Sequence, residues 1–136
     1  MASPVKILYW VLTVGLAFMF LFAGANKLTP ALHAPTHHML QKASKSWTPI
    51  WKLPGDTLLL LIGMSEFAGA LLLFVPGLSI VGNFGLLSAM IGAVYTHVVL
   101  SEPFGVPAFL GVALFVLLLI RPIAYPSQAG TPKKDN

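Results

Sequence analysis

A chain of 136 residues that is 57% apolar and only 9% charged, with a mean hydropathy of +0.84, cannot keep a water-facing surface solvated; soluble domains carry about 25% charged residues. The same apolar content excludes a disordered chain, and the absence of cysteine excludes a disulfide framework, a thiolate metal site and dithiol redox chemistry. The net charge of +4 comes from eight basic residues set between long apolar runs, which is a membrane-edge pattern rather than a nucleic-acid-binding patch.

In chain order, four apolar runs reach or approach the roughly 20 residues that cross a bilayer as a helix. The first, 7–25, carries no charge. Lys6 and Ala23-Gly24-Ala25 imitate a secretory signal, but the run exceeds the roughly 7–15 apolar residues of such a segment, so an uncleaved helix is expected. The second run, 57–75, holds one charge, Glu66, and the third, 78–100, holds Asn83 and His97. The fourth, 104–120, is the shortest and is closed by Arg121-Pro122. In hydrocarbon each segment must satisfy its own backbone, so all four are read as helices. The expected fold is all-α: a four-helix transmembrane bundle over 5–27, 57–75, 78–100 and 104–121, followed by a polar tail over 122–136.

Pro76-Gly77 makes a tight turn, so the second and third helices must be antiparallel neighbours. The third and fourth are joined by Ser101-Glu102-Pro103. Only 28–56 is a sizeable connection. Within it Met39, Leu40, Ala43 and Trp47 fall on one side of a helix, with Gln41, Lys42 and Lys45 elsewhere. A short interfacial helix is expected there, apolar side in the headgroup region and lysines outward. Trp47 and Trp51 suit an aromatic belt, and Arg121 marks the opposite membrane edge. Orientation is not decided by charge: Lys6, Arg121, Lys133 and Lys134 on one side balance Lys27, Lys42, Lys45 and Lys52 on the other.

Glu66 lies ten residues beyond Asp56, which at a rise of about 1.5 Å per residue puts it some ~15 Å deep. An acidic side chain at that depth costs about 2.5–3.5 kcal/mol or more and needs a partner, a proton or water. Gly63, Gly69 and Ala70 share its face, while Leu60, Met64, Phe67, Leu71 and Phe74 occupy the other. Small residues let another helix approach, so Glu66 is expected to point into the bundle. Lys27, at the end of the first helix with Ala23 and Gly24 on its face, is the expected counter-charge. The alternative is an outward-reaching Lys27 and a protonated Glu66.

In the third span Asn83, Met90 and His97 recur every seven residues, opposite Gly85, Ser88, Ala89, Gly92 and Thr96. This helix is expected to be central or at an oligomer contact, with His97 a packing residue on the membrane side where the first helix ends. His33, His37 and His38 are read as part of a polar headgroup-level loop rather than a metal site, because no carboxylate is near and Pro35 interrupts a helix there. No hydrolytic or phosphate-binding motif occurs. No catalytic residue, metal or cofactor is therefore expected. Glu66, His97 and Lys27 would also serve a proton relay or a quinone-edge site, and spacing does not separate that from a structural salt bridge.

Phe22-Ala-Gly24-Ala-Asn-Lys27-Leu28-Thr29-Pro30 resembles a family signature, F-x-G-x-x-K-L-T-P. Gly63-Met-Ser-Glu66-Phe-Ala-Gly69, then Asn83-Phe84, Tyr95-Thr-His97 and Glu102-Pro103, continue the likeness in order. Over roughly 1–121 the chain resembles the DoxX-like superfamily, in the animal branch that includes a chaperone of nicotinic acetylcholine receptors. The resemblance implies a non-enzymatic four-helix protein of the endoplasmic reticulum that assists receptor assembly, with cytosolic termini and a luminal long loop. It also implies that Gly24, Lys27, Leu28, Thr29, Pro30, Gly63, Glu66, Gly69, Asn83 and His97 form a shared polar core. Membrane lipids, subunits of a larger membrane complex and a second copy of the chain are the expected partners, and no nucleic acid. The bacterial branch is associated with quinone-linked redox complexes, which makes a redox or proton-handling subunit the alternative. The mitochondrial inner membrane or another organelle membrane is the alternative location.

Overall fold

The first helix starts where the sequence provides a start signal. In the computed structural model, which describes residues 2–126, the Ser3 hydroxyl accepts from the Lys6 backbone N–H at 3.3 Å and Pro4 opens the first turn of α1 (Pro4–Leu28). The helix stops where Thr29 turns extended ahead of Pro30, the Thr29 N–H still closing on the Ala25 carbonyl at 2.9 Å. The connection that follows is helical: α2 (Ala34–Ser44), a single 3-10 turn over Lys45–Trp47, and the one-turn α3 (Thr48–Trp51), ended by Lys52 in the left-handed region at φ 58°. Then come α4 (Gly55–Leu72), α5 (Ser79–Val99) and α6 (Gly105–Ala124).

The helices α1, α4, α5 and α6 are long and apolar enough to cross a membrane. They form a ring in which α1 packs on α4 and α6, and α5 packs on the same two. The core is built from Leu16, Ala17 and Phe20 of α1, Ala70 of α4, Leu86 and Met90 of α5, and Leu114 and Leu117 of α6. The circumference is apolar as well: Phe18, Ile91, Phe109 and Val112 lie well exposed. Such a surface is matched to hydrocarbon and not to water. The chain is an integral membrane protein.

Two points differ from the sequence expectation. Pro35 does not interrupt a helix; it stands in the first turn of α2, where its missing N–H costs nothing, and the His33 side chain caps that helix by accepting from the Thr36 N–H. The ends of the second and fourth spans also differ. The α4 helix closes at Leu72, and 73–78 form successive turns in which Gly77 takes φ 80°. The α6 helix runs through Pro122 to Ala124, so the tail begins later than residue 122. Its end is held by contact: Ala124 is fully buried, the Tyr125 ring meets Tyr9 edge-on at 5.5 Å, and the Trp10 indole donates to the Tyr125 hydroxyl at 2.6 Å. The expected tail residues 127–136, with Lys133 and Lys134, lie outside the described residues.

Candidate functional site: a buried ion pair and an intrabundle cavity

Glycines decide where the helices meet. A Cβ placed on Gly24 would stand 2.8 Å from the Gly63 carbonyl and 2.8 Å from the Phe67 nitrogen, and one on Gly63 would stand 2.8 Å from the Lys27 Cβ. The backbones of α1 and α4 therefore touch across these two residues, as small residues permit. Further along α4, Gly69 and Gly82 make the same kind of contact with α5: a Cβ on Gly82 would lie 2.7 Å from the Gly69 carbonyl.

The α1–α4 contact carries the charges. Lys27 donates from Nζ to Glu66 Oε2 at 2.7 Å, with Glu66 3% exposed and the Lys27 side chain 13% exposed. Glu66 faces inward with Gly63, Gly69 and Ala70, all buried, whereas Leu60, Met64, Phe67, Leu71 and Phe74 point outward. At a surface such a pair contributes little, but out of water each charge without the other would be strongly disfavoured.

The other motif residues have partners of their own. Leu28 closes α1 beside Gly63. The Thr29 hydroxyl accepts from the Ala31 N–H at 3.2 Å and Pro30 follows in the turn. Asn83 is buried and donates from Nδ2 to the Leu114 carbonyl at 3.1 Å, joining α5 to α6. His97 is partly exposed and its Nδ1 lies 2.8 Å from Glu102 Oε2, at the entrance to α6. At the opposite end of the bundle Arg121 donates from Nε to the Ser79 hydroxyl at 3.3 Å.

A cavity of about 570 Å³ occupies the half of the bundle where α1 ends and α4 begins. Its depth is apolar: Phe20 of α1, Leu58 and Ile62 of α4, Met90 of α5 and Leu110 of α6. Lys27 and Glu66 stand in one wall, and His97 and Glu102 line it as well. Met39, Leu40, Ala43 and Trp47 border this cavity, and Lys42 and Lys45 are exposed. Trp51 does more than mark an interface. Its indole N–H donates to Thr96 Oγ1 at 2.9 Å, and its ring lies 3.7 Å from the position a Cβ on Gly92 would take.

Sequence reading missed three buried polar groups here. Asn26 is 1% exposed and donates to the Phe22 carbonyl at 3.0 Å. His37, read as a headgroup-level residue, is buried and donates from Nδ1 to the Asn26 carbonyl at 2.7 Å. Ser44 is fully buried against Gly55, where a Cβ would stand 2.5 Å from the Ser44 carbonyl. The signal for Asn26 was present, since it is a polar residue inside the last turn of an apolar helix and next to the charge of Lys27. His33 and His38 have local partners, Thr36 and Gln41 respectively.

A four-helix membrane bundle with a Lys–Glu pair buried between its first and second spans is the class of protein that this architecture defines. The DoxX-like family model matches residues 11–120, and the chain belongs to the DoxX-like family. It is 35% identical over 111 residues to a mouse protein named novel acetylcholine receptor chaperone, covering 76% of this chain and 66% of the mouse one. It is 33% identical over 147 aligned positions to the bovine protein of that name, covering all of this chain and 82% of the relative. The macaque counterpart is 34% identical over 111 residues.

Proposed function

We propose that this DoxX-like protein is a non-enzymatic assembly chaperone of the endoplasmic reticulum membrane, binding subunits of an oligomeric receptor through helix–helix contacts. The observation that carries this reading is the likeness to several proteins named acetylcholine receptor chaperone, one of them matched along the whole of this chain. The geometry supports it: Lys27 and Glu66 neutralise each other across α1 and α4, as a staple requires, and broad apolar helix faces remain outward. The outward row Leu60, Met64, Phe67 and Leu71 of α4 is the proposed client face. In this reading the termini are cytosolic and α2–α3 lie in the lumen, and a second copy of the chain is a further partner. The test is co-expression with a nicotinic acetylcholine receptor subunit and measurement of assembled receptor at the cell surface. The reading requires a rise in assembled pentamers over subunit alone. Unchanged assembly, with the protein present in the same membrane, would refute it.

A second reading has one observation in its favour. Glu66, Lys27 and His97 line the same cavity, as a redox or proton-handling membrane subunit would need. That reading requires co-purification with a respiratory complex and loss of electron or proton flux in Glu66→Gln.

A further inference from the structure

The cavity runs from the water-facing end of the bundle, where His97 and Glu102 line it, to the apolar flank of α5. At its water-facing end Trp51 is clasped to Thr96, and Trp47 and Leu40 border it from the α2–α3 segment. On its flank, α4 and α5 touch at Gly69 and Gly82. Ile62 and Ser88, about 10 Å and 9 Å along their helices from that crossing at 1.5 Å per residue, both line the cavity, and Ser88 is exposed. The opening at Ser88 lies within the apolar span of α5, so it faces hydrocarbon.

The polar wall has bonding capacity left over. An ammonium has three donors and a carboxylate two acceptor oxygens, and among the described residues the pair joins Lys27 Nζ to Glu66 Oε2 alone. The pair is already neutral. An incoming carboxylate or amine would leave one net charge among Phe20, Leu58, Met90 and Leu110, which low polarity penalises. An uncharged hydroxyl can donate to the carboxylate and accept from the ammonium without adding charge. The volume lies within the range of ordinary small-molecule sites, about 300–1,000 Å³.

We propose that this cavity is a binding site for a bilayer-derived amphiphile with a hydroxyl head and a long apolar body, its head on Lys27 and Glu66 and its body against Phe20, Met90 and Leu110. The site is independent of which client the protein serves. It gives the lysine–glutamate pair a second role as a headgroup receptor, and makes α5 the edge past which the ligand enters.

The test uses the full chain in phosphatidylcholine nanodiscs with hexadecan-1-ol carrying a mid-chain diazirine. Photolabel is mapped by mass spectrometry. The proposal requires saturable labelling of Phe20, Met90 or Leu110, stronger than with the diazirine hydrocarbon lacking the hydroxyl by about fivefold, the factor one net hydrogen bond provides. Unlabelled hexadecan-1-ol should displace it, and Ala93→Phe, which fills cavity volume from α5, should reduce it. Equal interior labelling by the hydrocarbon, or labelling confined to outward residues such as Phe18 and Val112, would overturn the proposal. Displacement by butan-1-ol at equal concentration would overturn the bilayer source, because a water-soluble alcohol would then suffice. The probe series needs no variant, so it stands even where Ala93→Phe fails to fold.

Discussion

Gly24 and Gly63 face each other across the α1–α4 contact with no room for a methyl group: a Cβ on Gly24 would meet the Gly63 carbonyl and the Phe67 nitrogen, both at 2.8 Å. These are backbone atoms and cannot rotate away. Gly24→Ala is therefore expected to push the helices apart, at a cost of about 1–3 kcal/mol, and to stretch the Lys27–Glu66 bond. Gly15→Ala and Gly85→Ala, with nothing within 4 Å of a built Cβ, are the controls and should be neutral or gain up to about 1 kcal/mol from helix propensity. Thermal unfolding of the three purified variants in one detergent distinguishes them.

Breaking the ion pair from one side should be worse than removing it altogether. Lys27→Met leaves Glu66 buried without its partner, which costs about 3–5 kcal/mol when a buried pair is split. The double variant Lys27→Leu with Glu66→Leu removes both charges and should recover most of that loss. If the pair is only a staple, the folded double variant keeps receptor assembly at the wild-type level. A stable double variant without activity would show that the charges do something beyond holding helices together.

His37 fastens the connecting helix to the end of α1 through the Asn26 carbonyl. His37→Ala removes the donor from a buried acceptor, at about 1–3 kcal/mol. Because α2 packs on α1 and α4, the loss should be local. Faster backbone hydrogen exchange across Ala34–Ser44, with α5 and α6 unchanged, is the expected outcome. Uniform acceleration over the whole chain would show that His37 supports the bundle instead.

Trp51 lines the cavity, and its indole N–H donates to Thr96. Since the chain has no cysteine, Ala93→Cys places a single thiol on the cavity wall. Its modification by a water-soluble maleimide should be slow, and should quicken by about fivefold or more when Trp51→Phe removes the hydrogen-bond donor, an interaction worth about 1 kcal/mol. An unchanged rate would mean that the cavity is already open on that side.

The parts of the fold legible in the sequence were those governed by local composition. Run length separated four spans, and Pro76-Gly77 marked the turn between α4 and α5. The small residues around Glu66 marked its inward face, because helix periodicity carries that information within a few residues. The expectation for Met39, Leu40, Ala43 and Trp47 was half sufficient: their shared side was readable, but not that it borders a cavity. His37 could not be placed at all, since its burial depends on Asn26, eleven residues earlier and on another helix.

Composition and periodicity alone determined that the chain lives in a membrane, that it crosses as helices, and which side of the second span must hide its carboxylate. Each of these follows from transfer energies that a residue and its near neighbours incur wherever the rest of the chain goes. The tertiary structure decided what fills the space between the helices. The ring order of the spans, the clasp of Trp51 on Thr96 and the chamber beside Lys27 and Glu66 depend on contacts between distant segments. Two pairs of glycines set how closely those segments approach.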